Sequence, residues 1–291
     1  MDLLRDLLGP DSLYRNTVAV GLLIGVACPL VGVYLVLRRL IFLGLALPQV
    51  SSCGIAAAFA LHAWHLIPHL DDSSERSLAF FGSTVFTLGA ILLLSALERR
   101  GGGLVEGRVG TAYVLAGAWS ILLLVKNPYG EHGLLERLKG EIVAVSGGDL
   151  ALTAATLALV VVALLVFRKE LLLVAYDREM AIALRKNVAL WDLALFIAIG
   201  LAVSMSVLSV GPLVTFGFLL LPPLTARGLA RSMGQLWVLA PAIGAAGALG
   251  GFWIAYRWDL PVGPTDVALL GLMHGLVFAA GKLVRRPRAV A

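Results

Sequence analysis

The chain has 291 residues, of which 59% are hydrophobic and only 14% charged. A soluble domain carries about 25% charged residues, so composition and a mean hydropathy of +0.93 exclude an ordinary soluble enzyme and point to a polytopic membrane protein. The net charge of +5 says less than its placement, and the two cysteines, Cys28 and Cys53, lie in apolar segments, which argues against a disulfide framework or metal-finger spacing.

The first residues, MDLLRDLLGPDSLYRN, lack a basic stretch followed by an apolar core, so no cleaved signal is predicted. Leu3, Leu4, Leu7 and Leu8 would form one side of a short helix lying on the membrane surface. The first span is Thr17–Leu37, ending at Arg38 and Arg39. The second runs from Leu45 to Leu66, and a polar loop leads to the third, Leu78–Leu97. A Gly-rich charged loop precedes the fourth, Val109–Val125. A mixed segment, Lys126–Asp149, with one short amphipathic helix, precedes the fifth, Leu150–Phe167. The polar connection Arg168–Asn187 leads to the sixth, Val188–Leu208. The eighth is Leu236–Tyr256 and the ninth Val267–Val284.

The seventh is unusual. No charge interrupts Leu193–Ala226, which is too long for one crossing of about 20 residues. The chain must fold back, and Gly211-Pro212 is the natural place, since glycine frees the backbone and proline cannot continue a helix. The second arm, Leu213–Thr225, carries Gly217 and then Pro222-Pro223. Such a helix is either a plain kinked member of the bundle or one that lines a path, where freed backbone groups find partners. The expected fold is all-α: one domain over residues 1–291, a bundle of eight or nine transmembrane helices with a broken helix.

Lysine and arginine favour the cytoplasmic side of a membrane. With the N-terminus outside, sixteen of the 23 basic residues fall inside and seven outside. No P-loop is present: Gly275 and Gly281-Lys282 are separated by five residues instead of four, and Leu283 stands where Ser or Thr must hold magnesium. No nucleophile-elbow serine or His-Glu-x-x-His occurs either. The chain is therefore expected to be no enzyme and to need no cofactor.

Within the connection Ala175–Asn187, Asp177 can cap a short helix whose apolar side is Met180, Ala181, Ile182 and Leu184. It reads either as a surface linker or as a docking helix for a soluble partner. Here a resemblance emerges. Tyr176-Asp177-Arg178-Glu179-Met180-Ala181 is similar to the cytoplasmic Asp-Pro-Glu-x-Ala segment of permeases in the zinc/manganese/iron uptake family of ABC transporters. Val36-Leu37-Arg38-Arg39 followed by Gly44 resembles that family's Arg-Arg turn. Gly140–Ser146 with Asp149 resembles its Phe-Gly-x-x-Leu-Ala-Val loop. Val210-Gly211-Pro212-Leu213 through Leu221-Pro222-Pro223-Leu224-Thr225-Ala226-Arg227 resembles its Val-Gly-x-Leu…Thr-Ala-Arg helix, and Asp259–Pro264 its Asp-x-Pro-x-Gly-Pro turn. The resemblance implies a permease of the plasma (inner) membrane that pairs as a homodimer. It also implies two cytoplasmic ABC ATPase subunits, coupled through Tyr176, Asp177, Glu179, Met180 and Ala181, and an extracytoplasmic metal-binding protein. Nucleic acid is not among the expected partners.

The second span departs from the family. Where the family reads Gly-Asp-x-Leu-x-His, this chain has Gly44-Leu45-Ala46-Leu47-Pro48-Gln49. Leucine cannot ligate a cation, and glutamine offers one neutral carbonyl oxygen. A weak metal site at Gln49, Ser52 and Cys53 is the expected substitute, with Gly44, Pro48, Gly217, Pro222 and Pro223 lining the path. His62, His65 and His69 share a helix face if Pro68 does not break it, and serve either as ligands or as wetted interfacial side chains. His274 sits mid-span, either functional or bonded between helices. Glu131 and His132, in an outer loop, could meet the binding protein. The expected function is import of zinc, manganese or iron. The alternatives are a permease for a chelated metal or other small solute, or a non-transporting scaffold derived from a permease.

Overall fold

The computed structural model describes residues 14–63, 72–99, 105–125 and 147–284. Among the described residues there are ten helices and no strand. They are α1 (Arg15–Leu37), α2 (Ile41–Ala63), α3 (Asp72–Arg99), α4 (Val105–Val125), α5 (Gly147–Val166), α6 (Arg168–Tyr176), α7 (Arg178–Ala183), α8 (Val188–Leu229), α9 (Met233–Trp258) and α10 (Val262–Val284). Eight of them are long and apolar enough to cross a membrane. The protein is an all-helical, multi-pass membrane protein. The expected N-terminal surface helix, His65, His69, Glu131, His132 and most of the 126–149 segment lie outside the described residues.

The two elements that the sequence suggests, Val188–Leu208 and the arm after it, adjoin in the structure with no loop between them. α8 holds 42 residues, which would be about 63 Å long if straight. A bilayer core is about 30 Å thick. The run breaks at Gly211, whose φ of 80° and ψ of 169° belong to a region that essentially only glycine enters. Pro212 opens the second arm, where a missing N–H costs nothing.

Contacts with α1 show that the two arms run in opposite directions. Asp192, at the start of α8, pairs with Arg38 at the end of α1. Farther along, Ser206 Oγ lies 3.1 Å from Cys28 Sγ. One turn nearer the Arg38 end, Gly32 abuts Leu219 and Pro223. A straight helix would carry Pro223 about 25 Å beyond Ser206, out of reach of Gly32. The second arm instead runs beside α10, with Gly217 against Val267 and Gly228 against Val277. Folded this way, the described helices supply nine passes.

The close fit of the second arm on α1 depends on a missing side chain. Pro223 has no N–H, so the Leu219 carbonyl loses its donor four residues on. That oxygen lies directly over Gly32, where any Cβ would overlap it. Gly25 and Gly244 let α1 and α9 approach in the same manner.

The two ends of the bundle differ in character. At one lie Arg38, Asp192 and Arg178, with Arg168 stacked 4.9 Å over the Trp237 ring. At the other, Tyr14 packs edge-on to Phe252 and Tyr256, and Arg76 pairs with Asp149. The lysine and arginine rule places the first set in the cytoplasm. Between the ends, α3, α4, α5 and α10 turn large apolar residues outward, among them Phe81, Leu93, Trp119, Val162 and Leu276. Lipid is the solvent such faces suit.

Helix ends extend past the predicted spans. α2 begins at Ile41 rather than Leu45, so Gly44 lies inside it along with Pro48. The Arg168–Asn187 connection holds, besides the short helix expected within Ala175–Asn187, a second one over Arg168–Tyr176.

Candidate functional site

α7 stands at the basic end of the bundle with much of its apolar side uncovered. Asp177 caps it, accepting a hydrogen bond from the Met180 N–H at 2.9 Å. Ala181 is fully buried, packed with Val174 and Val188. The rest of the predicted apolar side points outward: Met180, Ile182 and Leu184 are exposed, and so is Tyr176 at the end of α6. Glu179 and Arg178 are exposed between them. One small residue thus seats the helix, while its large apolar side chains remain free for a partner.

Beneath α7 lies a group that the sequence does not flag. The Asp192 carboxylate, one turn into α8, is buried. One oxygen is 2.8 Å from Arg38 Nη2 and the other 3.2 Å from Arg178 Nη2. The Arg38 guanidinium also sits 5.9 Å over the Phe196 ring, one turn past Asp192. Neither Arg38 Nη2 nor Asp192 Oδ1 has an aligned hydrogen bond, so the contact is an ion pair without fixed direction. The available signal was a lone acid just inside an otherwise uncharged stretch. One of its partners, Arg38, comes from the far end of the chain.

The expected metal residues share one face of α2. Gln49 is half-buried, its side-chain amide lying over Gly117 of α4. Cys53, one turn on, packs with Val50 and Ala116. Ser52 is buried and its hydroxyl has no hydrogen-bond partner among the described residues. Its neighbour Ser51 bonds Ser83 of α3 at 2.6 Å. Among the described residues no group of three or more His, Cys, Asp and Glu could hold a metal ion.

The expected path residues on α8 face other helices. Gly217 meets Val267 of α10, and Pro223 meets Gly32 of α1; Pro222 is buried. Gln49 and Cys53 look toward α4, so the structure does not bring these two groups together within one chain. His274 reaches the second arm: its Nδ1 is 3.1 Å from Thr225 Oγ1. The Thr225 hydroxyl donates its single proton to the Leu221 carbonyl at 2.7 Å, so the histidine must be the donor and carry its proton on Nδ1. A cleft at the cytoplasmic end is lined by Arg39, Phe42, Ser95, Glu106, Arg108 and Phe196.

Comparison with known proteins places this architecture. Residues 11–280 match the ABC 3 transport family. The chain is 26% identical over 276 residues to the manganese transport system membrane protein MntD of Bacillus subtilis strain 168, covering 90% of each. It is 24% identical over 266 residues to the manganese import system permease protein ScaB of Streptococcus gordonii, covering 91% of this chain and 90% of that one. Its fold is similar to a chain of PsaBC from Streptococcus pneumoniae in complex with Fab, with a TM-score of 0.81 at 23% identity over 95% of both chains. Because the family match runs through nearly every described helix, the protein belongs to the ABC 3 transport family.

Proposed function

We propose that this chain is the membrane-spanning permease subunit of an ABC importer that carries a divalent metal ion into the cytoplasm, manganese foremost. ATP is hydrolysed by a separate cytoplasmic subunit, and an extracytoplasmic binding protein delivers the cargo to a homodimer of this chain. The observation that carries this reading is α7. A capped helix at the basic end of the bundle, with Tyr176, Met180, Ile182 and Leu184 uncovered, offers a soluble partner an apolar surface. The manganese relatives supply the cargo. In cells deprived of this chain, manganese uptake should fall and return with the wild-type gene. Glu179→Arg with Met180→Asp should insert normally yet lose both the ATPase subunit on purification and the uptake. Retention of both would refute the docking role.

Leu45 and Gln49 favour a second reading of the cargo. A bare dication entering hydrocarbon faces a desolvation cost of roughly tens of kcal/mol. Leu45 offers it no ligand, and Gln49 only a neutral oxygen. A chelated metal would travel with its own ligands. Uptake of manganese with and without a chelator separates the two.

A further inference from the structure

We infer that Asp192 is a positioning residue through which the docking helix moves the transmembrane bundle. This rests on the docking reading of α7 and adds the joint that transmits its motion. α7 has few attachments to the bundle. Ala181 packs against Val174 and Val188, and Arg178 reaches Asp192 at 3.2 Å. The first is a small apolar seat. The second is a charge contact to a buried carboxylate that is also held, 2.8 Å away, by Arg38.

The positions of the three charges give the joint its reach. Arg178 lies on α7, Asp192 on the outward arm of α8, and Arg38 at the end of α1. Past Asp192 that arm runs to the Gly211 turn. α1 meanwhile carries Gly32, on which the return arm rests through Leu219 and Pro223. A displacement of α7 therefore acts on the outward arm directly and on the return arm through α1. Stacking on Phe196 keeps Arg38 registered with α8. Because the Arg38–Asp192 contact is an ion pair without aligned hydrogen bonds, α1 and α8 can change their angle and still attract each other. The joint can pivot without parting.

The test uses the assembled importer in proteoliposomes. Manganese transported per ATP hydrolysed is measured together with co-purification of the ATPase subunit. Arg178→Ala should retain the ATPase subunit and lower transport per ATP about fivefold or more, the lower range for coupling between sites. Arg178→Lys, which keeps the charge, should recover most of it. Asp192→Asn should resemble Arg178→Ala. Should it fail to fold, Arg178→Ala still decides, since that side chain is 59% exposed and its loss leaves no cavity.

Transport per ATP within twofold of wild type in Arg178→Ala would overturn the joint while leaving docking intact. Loss of the ATPase subunit in Arg178→Ala would make Arg178 a docking contact and also overturn it. Full co-purification in Glu179→Arg with Met180→Asp would remove the docking reading and the joint together.

Discussion

Replacing Gly211 by alanine tests the fold-back most directly. At φ 80° and ψ 169° an L side chain is strained by about 1–3 kcal/mol. The turn cannot relax cheaply. Thr215 donates to the Gly211 carbonyl at 2.7 Å, and the arms on either side are fixed to α1 by Ser206 and Cys28 and by the Gly32 contact. Gly21→Ala and Gly271→Ala are the controls. Both lie in helices, and an added Cβ there meets nothing within 4 Å, so each should gain about 0.5–1 kcal/mol. The expected contrast is roughly 1.5–4 kcal/mol. At about 2–4 °C per kcal/mol, it amounts to a melting difference on the order of 10 °C in detergent, followed by intrinsic fluorescence. If Gly211→Ala melts with the two controls, the turn does not need glycine and the reasoning is wrong.

Further predictions address sidedness, cargo and the intramembrane histidine. Single cysteines at Lys186 and Arg257 should be labelled from opposite faces of intact cells; labelling of both from outside would contradict the orientation. Leu45→Asp with Gln49→His restores the family's Asp and His one turn apart, and the purified protein should then retain zinc or manganese, measured by mass spectrometry. A metal content equal to wild type would show that this face of α2 does not meet the cargo. Thr225→Val leaves the His274 Nδ1–H without its acceptor and should cost about 1 kcal/mol or more. Adding His274→Leu should recover stability, because it removes the N–H that Thr225→Val leaves unpaired, and a double variant less stable than Thr225→Val would refute the proton assignment.

Much of the fold is legible in the sequence because membrane insertion imposes a local rule. Apolar runs of bilayer length, bounded by charge, mark the spans, and the excess length of Leu193–Ala226 with Gly211-Pro212 inside it marks the reversal. The Asp177 cap is equally local, since it involves a backbone group three residues away. What is not legible depends on partners distant in the chain. α6 is only nine residues long, too short to stand out as a span, and its buried residues, Leu171 and Val174, find their partners in the bundle. Gln49 and Cys53 share a face by spacing, but only packing turns that face to α4. Asp192 lies far in sequence from Arg38, and nothing near either residue announces the other.

The one-residue turn in α8 also bears on how the protein is made. No polar loop separates the arms, so nothing hydrophilic must be hauled through the bilayer to form them, and both can enter sideways as a single wedge. The turn also sets parity. If residue 211 let the run continue straight, α9 and α10 would be threaded upside down, and Arg227, Arg231 and Lys282 would be delivered to the outer face. The basic residues downstream thus proofread the glycine: a nascent chain that missed the reversal would meet the positive-inside preference at the α8–α9 connection and again at the end of α10.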